Sequence, residues 1–225
     1  LFTINIAESD IKTPKQATGW KFSDFRYQLD AIRFGIDSIQ KYNGVIIADV
    51  VGLWKSIIAS GIAHNLSKKT IIVCPPHLTE QWNGYKTEFH INATVFTTGK
   101  IEEALKHKEQ HWQDGKEWLI VIDEAHKFRN EDTENYQLLH RLCTNSNVLI
   151  LTATPFNNDP KDLFALVKLF DTPGLSKIQT VENLSIEFRI LFSTYKKLRK
   201  SLRKNQWDTQ IIKMKGEEIA SRLRQ

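Results

Sequence analysis

The sequence predicts an α/β fold, a mostly parallel β-sheet flanked by helices. Three observations predict it. Four short apolar runs stand out, at 44–48 (GVIIA), 70–74 (TIIVC), 118–122 (WLIVI) and 147–151 (NVLIL). They are rich in Val and Ile and apolar at successive positions, as expected of strands buried on both faces between helix layers. Helical spacing separates them, and the segments with chemical character follow directly after them. In parallel sheets of this kind, ligands bind beyond the carboxyl ends of the strands.

The strands come first. A fifth, weaker run lies at 93–97. Between the runs, Leu29, Ile32, Ile36 and Ile39 recur at helical spacing. A helix is expected from near Lys55 towards Leu66, and another after Pro76, a residue suited to a first helical turn. A third starts near Thr133 and includes Leu138, Leu139 and Leu142. Strands alternating with helices imply βαβ units. After Pro173-Gly174 the pattern changes. From Leu184 onward there is no strand signal, only a stripe of Leu191, Tyr195, Leu198 and Leu202, with a basic run, KKLRKSLRK, at 196–204. A second helical stretch, 211–224, follows a break near Asn205. We therefore expect an α/β domain over 1–175 and a helical hairpin or protrusion over 176–225.

The 225 residues suffice for a large core, and the 41% hydrophobic and 25% charged fractions are those of an ordinary globular chain. The net charge of +5 permits a polyanionic partner without demanding one. Cys74 and Cys143 belong to no CxxC pair, so neither a zinc site nor a redox motif is implied. No stretch is long and apolar enough to cross a bilayer, so no membrane role is expected. The N-terminus has no signal-peptide pattern and no initiator Met, and we expect a cytoplasmic piece of something longer, nucleoid-associated if prokaryotic.

The chemistry is concentrated in three places. ADVVGLWKSIIAS lies between the first strand and its helix. A loop there can wrap phosphates with backbone amides, backed by the positive end of the helix dipole. Lys55 suits the β- and γ-phosphates and Ser56 suits Mg²⁺. The strict pattern G-x-x-x-x-G-K-[ST] fails twice, with Asp49 at the first glycine and Trp54 at the second. WLIVIDEAH is an apolar strand ending in two acids. Asp123 at its tip can hold Mg²⁺, and Glu124 can orient and deprotonate an attacking water. An acid pair that merely caps the next helix would look the same. LTATP, at 151–155, puts Thr152 and Thr154 after the fourth strand, where short hydroxyls can sense the γ-phosphate through the acidic motif. His126 is placed for contact with that segment.

Taken together, these segments resemble the N-terminal, RecA-like lobe of the Swi/Snf-type helicase-like ATPases of superfamily two. FRYQLDAI, at 25–32, resembles the family's adenine-recognition element, which implies Arg26 and Gln28 at the nucleotide, with Gln28 reading the adenine edge. IIADVVGLWKS resembles its P-loop, implying Asp49, Gly52, Leu53, Trp54, Lys55 and Ser56 around the phosphates. VCPPHLTEQW, DEAHKFRN, LTATPFNN with its paired Asn157-Asn158, and DLFALVKLF resemble the motifs that follow, in order. The resemblance covers about 25–170. It implies ATP and Mg²⁺ as ligands, double-stranded DNA and a second RecA-like lobe as partners, and translocation without strand separation. It also implies a helical protrusion matching the tail. Without the second lobe, the chain is expected to hydrolyse ATP poorly.

The family has Gly where this chain has Trp54. A glycine there relaxes backbone angles and lets the loop approach phosphate closely. Three readings stay open: a degenerate, non-hydrolysing relative; a substitution, engineered or erroneous, in an otherwise intact site; or a ring swung outward from a working site. Weakened ATP binding is expected. Gln81, Trp82, Thr98, Gly99, Lys100, Arg129 and Asn130 are the candidate DNA contacts, suited to phosphate gripping without sequence readout. Trp82 is also the one best suited to core packing, and the 196–204 run equally suits a solvated helix face. Three functions compete: a double-stranded DNA translocase lobe, a nucleotide-blind binding or scaffold module, and a strand-separating helicase or restriction motor.

Overall fold

The computed structural model describes residues 6–48, 54–112, 117–153, 161–171 and 184–203. Along the chain these form α1 (Pro14–Ala17), α2 (Arg26–Tyr42), β1 (Gly44–Ala48), α3 (Lys55–Leu66), β2 (Lys69–Cys74) and α4 (Thr79–Glu88). Next come β3 (Ala93–Thr97), α5 (Ile101–Gln110), β4 (Trp118–Ile122), α6 (Glu134–Cys143), β5 (Ser146–Thr152), α7 (Lys161–Val167) and α8 (Leu184–Arg203). Asp49, Gly52, Leu53, Thr154, Asn157-Asn158, Pro173-Gly174 and the expected helix at 211–224 lie outside the described residues, as do the side chains of Leu198 and Leu202.

All five strands run parallel, in the order β1-β5-β4-β2-β3. Successive residues of each central strand enter opposite layers, which explains the unbroken apolar runs. Leu119 and Val121 of β4, Leu149 and Leu151 of β5, and Ile72 and Cys74 of β2 face α2, α3 and α4. Ile120 and Ile122, Val148 and Ile150, and Ile71 and Val73 face α5, α6 and α7. The edge strands are less covered: β3 is half-buried throughout, and β1 becomes exposed by Ala48.

On the first face, α2 and α3 approach closely. A Cβ on Gly61 of α3 would stand 2.6 Å from Ile32 Cδ1 of α2, and a Cβ on Gly35 of α2 would collide with Ile62 of α3. Each glycine thus receives the isoleucine of the other helix. This interlock fixes the start of α3, where Lys55 sits, relative to the start of α2, where Gln28 sits.

Three details differ from the sequence-based expectation. Pro76 opens a short 3₁₀ turn, Pro76–Leu78, and the α-helix begins at Thr79. The helix α5 was not expected, because only Ile101, Ala104 and Leu105 of its apolar side are buried among charged neighbours. The tail helix α8 packs on α7 through Phe188 and Phe192. The Phe164–Phe188 rings stack at 4.4 Å and Phe164–Phe192 meet edge-on at 6.2 Å. The stripe beginning at Leu191 is offset from this contact: Leu191 and Tyr195 are half-buried.

Candidate functional site

Parallel register brings the carboxyl ends of β1, β5 and β4 to one sheet edge. Ala48 lies opposite Thr152, and Ile122 opposite Ile150. Thr152 is fully buried at this edge. From β1 the chain leads to α3, whose first two residues, Lys55 and Ser56, are buried. Asp123 follows β4, is also buried, and donates its backbone amide to Val73 O at 2.8 Å.

The Asp123 carboxylate is held at both oxygens. The Trp82 indole Nε1 donates to Oδ2 at 2.9 Å, and the Glu124 amide donates to Oδ1 at 2.8 Å. Burial raises its pKa above the usual carboxylate range. The two hydrogen bonds oppose that rise, the Glu124 charge adds to it and the Lys55 ammonium, the weakest of these influences, opposes it, leaving the pKa raised. Lys55, Asp123 and Glu124 all lie at the carboxyl end of the sheet, after β1 and β4. Glu124 itself sits at φ 52°, ψ 46°, a left-handed conformation unusual for a residue with a side chain. Its Oε2 lies 2.9 Å from His126 Nδ1.

Trp54 precedes Lys55 with φ −111° and ψ −15°, angles open to any residue. At Trp54 itself the difference from glycine is therefore bulk rather than torsion. The ring packs edge-on against Phe25 (5.2 Å between centroids) and Tyr27 (6.5 Å), which flank the start of α2. This packing leaves all three readings of Trp54 open, because the loop at 49–53 lies outside the described residues. On α2, Gln28 is completely buried, and neither Oε1 nor Nε2 has a hydrogen-bond partner. A buried amide with both ends unpaired costs roughly 1–3 kcal/mol unless something satisfies it. Arg26 is exposed and turned towards Asp30 (3.8 Å) and Glu8 (3.7 Å).

The candidate nucleic-acid residues divide. Gln81, Gly99, Lys100 and Asn130 are exposed, and Thr98 is half-buried after β3. Lys100 Nζ pairs with Glu103 at 3.1 Å. Arg129 leans towards Asp162 of α7 at 4.0 Å. Asn130 Oδ1 accepts from the Asp132 amide at 3.1 Å, shaping the approach to α6. Trp82 is corrected: it is 1% exposed, so its ring cannot meet a duplex. It is instead the missed partner of Asp123. The sequence signalled only its position shortly after an apolar strand; that this strand neighbours β4 is a fact of the tertiary structure.

Comparison with known proteins agrees with this architecture. The SNF2-related domain matches residues 83–223. A CHD3-type chromatin-remodeling factor of Arabidopsis thaliana is 25% identical over 214 residues, covering 79% of this chain and 17% of that protein. An uncharacterized ATP-dependent helicase of Bacillus subtilis is 33% identical over 156 residues, covering 60% and 28%. A RAD54-like DNA repair and recombination protein of Drosophila persimilis is 24% identical over 246 residues, covering 88% and 31%. The chain thus spans less than a third of the length of these relatives. Among solved structures, the Sulfolobus solfataricus SWI2/SNF2 ATPase core in complex with dsDNA shares the fold, with a TM-score of 0.59 at 20% identity, covering 86% of this chain and 42% of that one. The chain belongs to the SNF2-related family, as an N-terminal, RecA-like lobe of the Swi/Snf type.

Proposed function

We propose that this chain is the first motor lobe of an ATP-dependent double-stranded DNA translocase, binding ATP with Mg²⁺ at the carboxyl edge of its sheet. The observation that carries the reading is that Lys55, opening the helix after β1, and Asp123, directly after β4, are both buried at the carboxyl ends of the two strands that flank β5. A buried cation and a buried anion at a strand-to-helix junction fit a magnesium triphosphate better than they fit each other alone. The unpaired amide of Gln28 adds support, since one acceptor and two donors match the N6/N7 edge of adenine.

ATP with Mg²⁺ brings a transferable phosphoryl group and a cation that draws off its charge. Lys55 would hold the β- and γ-phosphates, and Ser56 and Asp123 would hold the metal. Glu124 would take the proton of the attacking water. His126, 2.9 Å from Glu124, and Thr152, at the end of β5, would relay the state of the site, along with Thr154. Asp49, Gly52 and Leu53 would complete the phosphate loop. Gln81, Thr98, Gly99, Lys100 and Asn130, on loops and helix starts at the same edge, would face duplex phosphates. That the Sulfolobus relative was solved with dsDNA supports this assignment of the partner.

A second reading, a nucleotide-blind binding module, is favoured by one observation: the bulk of Trp54 at a loop position that serves phosphate approach. Calorimetric titration of the chain with ATP·Mg²⁺ separates the two. Saturable binding lost in Lys55→Ala supports the motor lobe, and no binding supports the module. Duplex-stimulated hydrolysis by the full-length parent, weaker with single strands, would then distinguish a translocase from a strand-separating helicase. No helix among the described residues is long and apolar enough to cross a membrane.

A further inference from the structure

We propose that Trp82 is a positioning residue for the metal-binding carboxylate of Asp123, setting how tightly the site takes Mg²⁺. The proposal rests on the ATP·Mg²⁺ reading above. Trp82 lies on α4, forty-one positions before Asp123, and both side chains are buried. Its indole Nε1 and the Glu124 amide occupy one lone pair on each carboxylate oxygen, at 2.9 and 2.8 Å. Two fixed donors define the plane of the carboxylate, and each oxygen keeps a lone pair for a cation. Indole suits this task because it only donates and does not titrate, so it cannot compete for the metal.

The indole is itself immobilised. Its ring meets Tyr85 edge-on at 6.1 Å, and Tyr85 and Phe22 pack on Phe89 at 6.4 and 5.4 Å. A rigid ring holding a ligand's outer oxygen is the arrangement by which neighbouring groups tune metal affinity, and loss of such a partner typically weakens metal binding about 10- to 100-fold. A residue that only filled space would need its ring, not its N–H.

The test uses the chain with ADP and ATP, titrated calorimetrically in MgCl₂ and in EDTA. Trp82→Phe keeps the aromatic bulk and removes the donor. We expect the magnesium-dependent gain in nucleotide affinity to fall about tenfold, with affinity in EDTA unchanged. In an Asp123→Asn background, Trp82→Phe should have no further effect. A folded Trp82→Phe chain with the wild-type magnesium dependence overturns the proposal while leaving the nucleotide reading intact. Wild-type binding that ignores magnesium, or no wild-type binding, overturns that reading and the proposal with it. Should Trp82→Phe not fold, the wild-type chain decides by NMR. The Trp82 indole N–H signal should shift on adding Mg²⁺ to the ADP-bound chain and not on adding ADP in EDTA, and an unmoved signal overturns the assignment.

Discussion

The indole of Trp54 stands edge-on to the ring of Phe25, 5.2 Å between centroids at an angle of 62°. Tyr27 closes the group at 6.5 Å. These contacts hold Trp54 against the start of α2. Aromatic pairs of this geometry contribute about 0.5–1.5 kcal/mol each. Replacing Trp54 with Gly should therefore lower chain stability by about 1–2 kcal/mol. It should also open the approach to the phosphates and tighten ATP·Mg²⁺ binding about tenfold or more, a change of about 1.4 kcal/mol. Calorimetry on both chains reads the affinity, and equal, tight binding by the two would show that the ring does not obstruct the loop.

Glu124 holds a left-handed backbone, φ 52°, immediately after Asp123. Such a conformation costs a non-glycine residue on the order of 1 kcal/mol. Glu124→Gly is expected to stabilise the chain by about 0.5–1 kcal/mol, read by urea unfolding. Glu124→Gln in the full-length parent should bind nucleotide and lose hydrolysis by a factor of about 100 or more. A Gln variant that hydrolyses at the wild-type rate would remove Glu124 from the chemistry.

The interlock of α2 and α3 predicts a substitution that goes against helix propensity. Alanine favours an exposed helix over glycine by about 1 kcal/mol. At Gly61 the added Cβ would stand 2.6 Å from Ile32 Cδ1, in a region where Ile32 and Ile62 are fully buried. Overpacking of this kind costs about 1–3 kcal/mol. Gly61→Ala should thus be destabilising in chemical denaturation, and it should weaken nucleotide binding by displacing the start of α3 from Gln28. A stabilised Gly61→Ala chain would mean that the two helices can part without loss.

The two thiols are buried, and burial pushes Cys143 up from 9.0 to about 12, against a smaller opposing pull from Lys108. Between those values the unfolded chain releases this proton and the folded chain keeps it. The contribution of Cys143 to stability therefore falls as pH rises from about 9 towards 12. Urea midpoints measured from pH 8 to pH 10 should decline less steeply in Cys143→Ala than in wild type. At pH 8 neither Cys74 nor Cys143 should react with a disulfide reagent until the chain unfolds, because only an accessible thiolate attacks.

Much of this molecule is written in local sequence. Strands buried on both faces leave continuous Val/Ile runs, so β1, β2, β4 and β5 could be located to within a residue at either end. Lys55 at the first turn of α3 and Asp123 at the tip of β4 were legible for the same reason: each follows such a run directly. The strand order β1-β5-β4-β2-β3 was not legible, since pairing depends on which crossovers the whole chain can accommodate, and α5 was hidden by its charged exposed face. Tertiary structure alone decided the destinations of three side chains. Trp82 turns inward to Asp123, Trp54 packs on Phe25 and Tyr27, and Gln28 is buried with both amide atoms unpaired. Periodicity reports whether a position faces water or protein. It carries no record of which distant group will lie opposite, because that contact exists only once elements far apart in sequence have been brought to the same sheet edge.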